Sequence, residues 1–339
     1  AFNANVTLAN TDGSTKSLAS NLTVTNTTNI QTLLTGLLRY DHTFGKHTVG
    51  AMVGYSEEYF DWKWNSGYRS GFINNTQREL NLGDASSQTN NSGHYDLGLQ
   101  SVFGRINYNY DNKYLFEANV RRDGSSRFSK GNKWGSFPSF SAGWVMTEEK
   151  FMKDTRSWLD MLKLRASWGK LGNQNISDSY YPTAQNLTIS SISANDIIYP
   201  MVGLNVLANE DITWETSRML DVGIDAVLWN KFSITADWYH KTTDGILMRL
   251  DIPSSIGLSA PYQNAGKVRN IGWEVALGYH DRKGDFSYGV NANLSDVRNK
   301  ILDMKGTTGG SGVIRNQEGS SINSLYGLKC IGMARTQEE

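Results

Sequence analysis

Apolar and polar residues alternate with period two along most of this chain, the pattern of strands that bury one face. Gly104, Ile106, Tyr108 and Tyr110 share one side of a run, while Phe103, Arg105, Asn107 and Asn109 share the other. After the turn Asp111-Asn112-Lys113, Tyr114, Phe116, Ala118 and Val120 oppose Leu115, Glu117, Asn119 and Arg121. The same alternation predicts a hairpin over 32–55 about Gly45-Lys46, and strands near 136–146 and 162–168. Two more hairpins turn at Asn230-Lys231 and at Asp281–Gly284. A last candidate strand lies around Ile322–Met333, and residues 1–29 read as strand or loop. Residues 147–158 (TEEKFMKDTRSW) are predicted to form a short helix with Thr147 as its N-cap.

The connections carry as much information as the strands. Short turns alternate with longer excursions, predicted at about 57–99, 170–212 and 244–268, and a Gly-rich loop follows near 306–319. Strands of this length exceed the usual 5–6 residues of soluble sheets. Aromatic residues gather near strand ends: Tyr40, Phe44, Tyr55, Tyr110, Tyr114, Trp229, Phe232, Trp238, Tyr279 and Phe286. A soluble β-sandwich needs a second sheet over every apolar face and gives no reason for the unequal connections. The pattern therefore favours an all-β, antiparallel transmembrane β-barrel of about ten or eleven strands in this chain, with short turns at one rim and long loops at the other.

Composition adjusts this picture in three places. Basic and acidic residues balance at 33 each, so no excess of positive charge argues for nucleic acid. A mean hydropathy of −0.46 and the lack of any long apolar run exclude a membrane helix, yet a barrel wall needs only every second residue apolar. The single cysteine, Cys330, excludes an internal disulfide framework and reads as a small apolar strand residue.

Catalytic signatures are missing from the sequence. The Gly-Lys pairs at 45–46, 169–170 and 266–267 lack the spacing and the following hydroxyl of a phosphate-binding loop, and neither HExxH nor GxSxG occurs. His42, His47, His94, His240 and His280 are scattered rather than spaced as metal ligands, so no cofactor or metal is expected. Arg39, Arg105, Glu117, Arg121, Asp221, Asp225, Asp237 and Glu274 fall on the polar side of the alternation, as the wet lining of a lumen would. In the excursions, Trp62, Trp64, Tyr68, Tyr180, Tyr181 and Tyr199 are either substrate contacts, since rings stack on sugars and other flat ligands, or packing within folded loops.

Five ordered segments then resemble a known family. Arg121–Phe128 (RRDGSSRF) followed by Trp134–Ser139 (WGSFPS) resembles the signature of SusC/RagA-type TonB-dependent outer-membrane transporters of the Bacteroidetes. Leu164–Asn175, Asn209–Asp225, Asp237–Leu247 and Asn264–Glu274 match in the same order. The resemblance implies a 22-stranded barrel around an N-terminal plug, driven by the TonB-ExbB-ExbD complex and capped by a SusD-like surface lipoprotein. It also implies import of large nutrients, chiefly oligosaccharides and sometimes peptides, and no enzymatic activity. Neither a plug, a TonB-contacting stretch nor a terminal aromatic strand is recognisable, so residues 1–339 are expected to be a partial barrel domain. A surface adhesin or structural barrel without transport, and a soluble glycan-binding sandwich, are the competing expectations.

Overall fold

Where the alternation is strongest the chain forms long strands. The structure is a computed structural model that describes all residues except 1, 4–5, 10–14, 19, 75, 177–179, 195, 251 and 330–339. Cys330 and the end of the last candidate strand therefore lie outside the described residues. The first strands are β1 (Phe2–Asn3), β2 (Val6–Ala9), β3 (Thr15–Leu18), β4 (Asn21–Phe44), β5 (His47–Ser70) and β6 (Thr89–Tyr110). Next come β7 (Tyr114–Ser125), β8 (Trp134–Val145), β9 (Leu159–Asn173), β10 (Leu187–Ala194), β11 (Ile197–Leu204) and β12 (Glu215–Leu228). The last are β13 (Phe232–Arg249), β14 (Tyr262–Lys283), β15 (Phe286–Asp303), β16 (Ile314–Arg315) and β17 (Ser324–Leu325). Eleven strands form one sheet in the order β1-β4-β5-β6-β7-β8-β9-β12-β13-β14-β15, and β2–β3, β10–β11 and β16–β17 are separate pairs.

Two compact units divide the chain, residues 1–34 with 57–99, and residues 35–56 with 100–339. In the first unit, the predicted excursion at 57–99 shrinks to residues 71–88, because β5 and β6 continue through most of it. Rings at Phe60, Trp62 and Trp64 alternate there with Asp61 and Lys63, carrying the strand past the end of the aliphatic run. Phe72 and Leu22 are both buried, and the Phe72 N–H donates to Ser20 Oγ at 3.1 Å.

In the second unit the turns are as tight as the sequence suggests. Asp111 and Asn112 (φ 54° and 56°) and Trp229 and Asn230 (φ 51° and 52°) form left-handed pairs of the kind that match the twist of a hairpin. The second turn thus centres one residue earlier than Asn230-Lys231. The predicted helix at 147–158 is instead two 3-10 segments, Met146–Glu148 and Lys150–Thr155, neither with a side-chain cap. Thr147 is buried and its hydroxyl accepts from Leu162 N–H at 3.3 Å, so it anchors the next strand rather than starting a helix. The excursion predicted at 170–212 contains the β10–β11 hairpin, and the strand predicted from Ile322 is reduced to the two residues of β17.

Packing in this unit sits at the strand ends, not between sheets. Phe128, Ile212, Trp214 and Phe137 are buried where the long connections meet, and Val268, Ile301 and Met304 form a second cluster. Along the middle of the strands, one face carries uncovered apolar side chains: Leu38 is 71% exposed, Ile106 57% and Leu294 66%. Among the described residues no second sheet covers them, which removes the sandwich and leaves a wall made to face lipid. At the short-turn rim, rings touch in sequence across strands: Phe44–His47 (5.4 Å), His47–Tyr110 (4.9 Å), Tyr110–Tyr114 (6.3 Å) and Tyr114–Trp144 (6.5 Å). Phe232, Tyr279 and Tyr288 continue the theme on β13–β15. Such a belt suits a membrane–water boundary.

Candidate functional site: the charged face of the wall

The register of the strands assembles the polar side chains into rows. Residues directly opposite in an antiparallel ladder point to the same face. Glu117 faces Ser141, Ser141 faces Ser167, Ser167 faces Asp221 and Asp221 faces Tyr239. A neighbouring row runs Leu115, Gly143, Arg165, Gly223, Asp237, Glu274 and Ser295. Two residues along β12 from Gly223, Asp225 pairs with Lys163. Asp41, Asn107, Glu117, Lys163, Arg165 and Asp221 line one concavity of about 520 Å³ on this face.

Arg165 is the anchor. Its Nε donates to Asp225 Oδ2 at 2.7 Å and its Nη2 to Asp225 Oδ1 at 3.0 Å, a two-point fork. The same Nη2 donates to Asp237 Oδ2 at 3.2 Å, although Asp237 lies two strands away from β9. Gly223, on the intervening strand, makes this reach possible. A Cβ there would lie 2.0 Å from Asp237 Oδ1 and 2.9 Å from Arg165 Nη2, so only glycine leaves the space open. Thr235 Oγ1 also donates to Asp225, at 3.3 Å.

The remaining charged residues of this face pair locally. Arg39 donates to Asp41 at 2.5 Å, and Arg105 donates to Asn119 Oδ1 at 2.6 Å with Glu117 3.8 Å away. Arg121 bonds Asp123 at 2.6 Å and Ser101 Oγ at 2.8 Å, with its guanidinium 5.4 Å from the Phe103 ring centre. All eight charged residues singled out in the sequence therefore share the face opposite the apolar one. No three His, Cys, Asp or Glu side chains converge as metal ligands among the described residues.

A wall with one apolar and one charged face, tight turns on one rim and folded loops on the other can be compared with known proteins. Residues 1–318 match the family model described as TonB dependent receptor-like, beta-barrel. The chain belongs to the TonB-dependent receptor family. TonB-dependent receptor P39 of Formosa agariphila is 33% identical over 311 residues, 88% of this chain and 29% of that protein. TonB-dependent receptor SusC of Bacteroides thetaiotaomicron is 32% identical over 277 residues, 79% of this chain and 27% of that protein. The structure of the RagAB peptide transporter superposes with a TM-score of 0.81 at 22% identity, over 91% of this chain and 34% of the matched chain. The chain thus spans about a third of the length of these relatives. It is part of a receptor β-barrel of SusC type, in an outer-membrane family.

In this receptor the segment carrying the family signature is a packing centre. Phe128 lies against Trp214 (5.3 Å), which lies edge-on to Phe137 (5.3 Å) and donates from Nε1 to Lys133 O at 2.9 Å. Gly124 faces Trp134 in the ladder, where a Cβ would lie 2.8 Å from the indole. Ser129 Oγ (2.6 Å) and Asn132 Nδ2 (3.3 Å) both donate to Glu210 O, stitching the 126–133 loop to the next one. Its Gly and Ser residues are thus more than turn formers.

The aromatic candidates separate. Trp62, Trp64 and Tyr68 lie on β5 rather than in a loop, because the strand runs on to Ser70. Trp62 stacks on Tyr95 (4.7 Å) and touches Trp64 (6.2 Å), whose indole fills the space over Gly93; Tyr68 stands apart near the 71–88 connection. In the other unit, Tyr180 lies under the Arg127 guanidinium (5.0 Å) and the Tyr181 hydroxyl is 3.4 Å from Ser126 Oγ. Tyr199 belongs to the β10–β11 hairpin. Sequence reasoning missed Arg165, although its place between Leu164 and Ala166 in an apolar alternation already assigned it to the polar face.

Proposed function

We propose that this chain is wall and loops of an outer-membrane importer of large nutrients, energised through TonB and working beneath a SusD-like surface lipoprotein. The charged face with its Arg165–Asp225–Asp237 fork carries the reading: a wet lining opposite a lipid-facing surface suits a wide conduit better than an adhesive surface. The short turns lie at the periplasmic rim and the long connections at the extracellular one. Arg39, Arg105, Glu117, Arg121, Asp221, Asp225, Asp237 and Glu274 line the lumen. Substrate is captured among the extracellular loops, a plug in the same full-length protein moves aside, and cargo passes along the polar face. Here the chain's residues position and conduct; none performs chemistry.

Oligosaccharides are the substrates this reading favours. The indoles of Trp62 and Trp64, half-buried beside Tyr95, offer flat apolar surface of the kind that stacks on sugar rings, with Tyr68, Tyr180 and Tyr181 as further contacts. Tyr199, on the β10–β11 hairpin, is a further candidate contact. Peptides are the second reading, favoured by the likeness of fold to the RagAB peptide transporter. Uptake of labelled oligosaccharides and of labelled peptides is measured in cells with and without the full-length gene. Loss of oligosaccharide uptake alone supports the first reading and loss of peptide uptake alone the second. Uptake of both that survives the deletion removes transport as the role.

A further inference from the structure

On the apolar side of the wall a trough of about 510 Å³ opens among larger side chains. Ala51 on β5, Gly104 on β6 and Ala118 on β7 form its floor. A Cβ at Gly104 would meet only the Met52 carbonyl, at 3.4 Å, so the hollow reaches the main chain there. Leu38 and Tyr40 on β4 stand at one end, and Phe140, paired with Ala118 across the ladder, stands at the other. These residues belong to one compact unit, and β5, β6 and β7 each have both neighbouring strands in the sheet. Further strands of a longer barrel therefore leave the trough uncovered, and what meets this face is the bilayer.

Polar groups collect below the trough, toward the short-turn rim. Among the described residues His42 is held only by ring contacts, to Tyr40 at 6.2 Å and to Phe44 at 5.9 Å. His47 Nδ1 lies 2.8 Å from the Tyr108 hydroxyl. Lys46 donates to Asp111 Oδ2 at 2.8 Å, is 63% exposed and has two further N–H donors. An ammonium and two imidazoles at a membrane boundary suit an anionic headgroup. Spacing joins the two ends. From Tyr108 to Gly104 is four residues, about 13 Å along the strand and about 10 Å in depth at the usual tilt. The apolar band of such a wall is ~25 Å tall, about 12 Å per leaflet. The trough thus lies among the tails of the leaflet whose headgroups meet His42, Lys46 and His47.

We infer that the trough seats an acyl chain of one phospholipid from the leaflet at the short-turn rim, its phosphate held by Lys46 and the imidazoles of His42 and His47. A free phosphate would use the polar end alone, and a second copy of the receptor the trough alone. A phospholipid uses both. The site does not depend on what the receptor imports.

The full-length receptor is reconstituted into vesicles of phosphatidylethanolamine and phosphatidylglycerol and extracted in mild detergent. Native mass spectrometry then counts the phospholipid still bound. A51L/A118L fills the trough and is expected to retain about tenfold less than wild type, the effect of losing two buried methylenes. H42A/K46A leaves the trough open and is expected to retain about fivefold less, the effect of one hydrogen bond. A226L/A292L adds the same bulk in another row of the apolar side, where Ile234 and Leu277 lie between the two alanines, and is expected to match wild type. Retention at the wild-type level by A51L/A118L or by H42A/K46A overturns the site, as does equal loss in A51L/A118L and A226L/A292L. Receptor pairs that A51L/A118L separates give the trough to a second copy and overturn it too. Should A51L/A118L fail to insert, phosphatidylglycerol with a photoactivatable acyl chain replaces it in wild-type vesicles. Labelling at Ala51, Gly104 and Ala118 above that at Ala226 and Ala292 supports the inference, and even labelling overturns it.

Discussion

Arg165 shows how much depends on one side chain of the polar face. Removing it in Arg165→Ala leaves two carboxylates facing each other without their cation, at a cost of about 2 kcal/mol. Denaturant melts of the full-length receptor in detergent measure the loss. Arg165→Lys restores little, because an ammonium cannot bridge Asp225 and Asp237 with a planar fork. Gly223→Ala tests the geometry separately. Its methyl pushes the Asp237 carboxylate aside and breaks the longer arm, for roughly 1 kcal/mol with the strands intact. At the short-turn rim, Glu149 accepts from the Tyr114 hydroxyl (2.5 Å) and from Trp144 Nε1 (3.4 Å), with Lys113 at 3.6 Å. The Tyr114 hydrogen bond, foremost among these, holds its carboxyl below the ordinary glutamate value of 4.5. Its contribution is complete above that value and fades as pH falls through the lower folded one. Wild type and Glu149→Gln therefore differ in stability by the same amount at pH 7 and pH 6, and converge only in acid well below pH 4.5.

Among the elements, the connections hold the stability that the strands do not. Phe128→Ala opens a hole beneath Trp214 in the loop core and is expected to cost about 3–5 kcal/mol. Trp214→Ala also removes one of the two donors to the Lys133 carbonyl, leaving the Ser125 N–H. Protease nicking of the 126–133 and 205–214 connections on intact cells reads both effects. The strands were legible because lipid on one side and water on the other impose a strict alternation, seen in residues 103–121. At 57–70 the alternation persists, with Asp61 and Lys63 on one face and Phe60, Trp62 and Trp64 on the other, but it runs into the long polar stretch that follows. The polar stretch at 65–99 outweighed that short run, so Trp62 and Trp64 read as loop residues. Thr147 misled for a different reason. Its hydroxyl suits a helix cap, but tertiary pairing with Leu162 outweighs that local preference. The loop core was invisible because Phe128 and Trp214 are far apart in the chain and meet only through the fold.

Across the whole wall, the two faces predict opposite responses to the same substitution. Ile106→Arg places a charge on the apolar face and is expected to cost about 2–4 kcal/mol near the bilayer midplane. Ser141→Arg, on the polar face, is close to neutral. Folding of the full-length receptor into lipid vesicles, followed by urea titration, separates them. The fork of Arg165 bears on this contrast in one further way. A one-residue slip of β12 against β9 would send Asp225 through the sheet to the lipid side, and Arg165 would meet no acid in its place. Each one-residue slip thus carries a charge into hydrocarbon and forfeits the ion pair at once. Three neighbouring strands, closed by one guanidinium, act as a checksum on alignment: a one-residue error is rejected by electrostatics before the wall is complete.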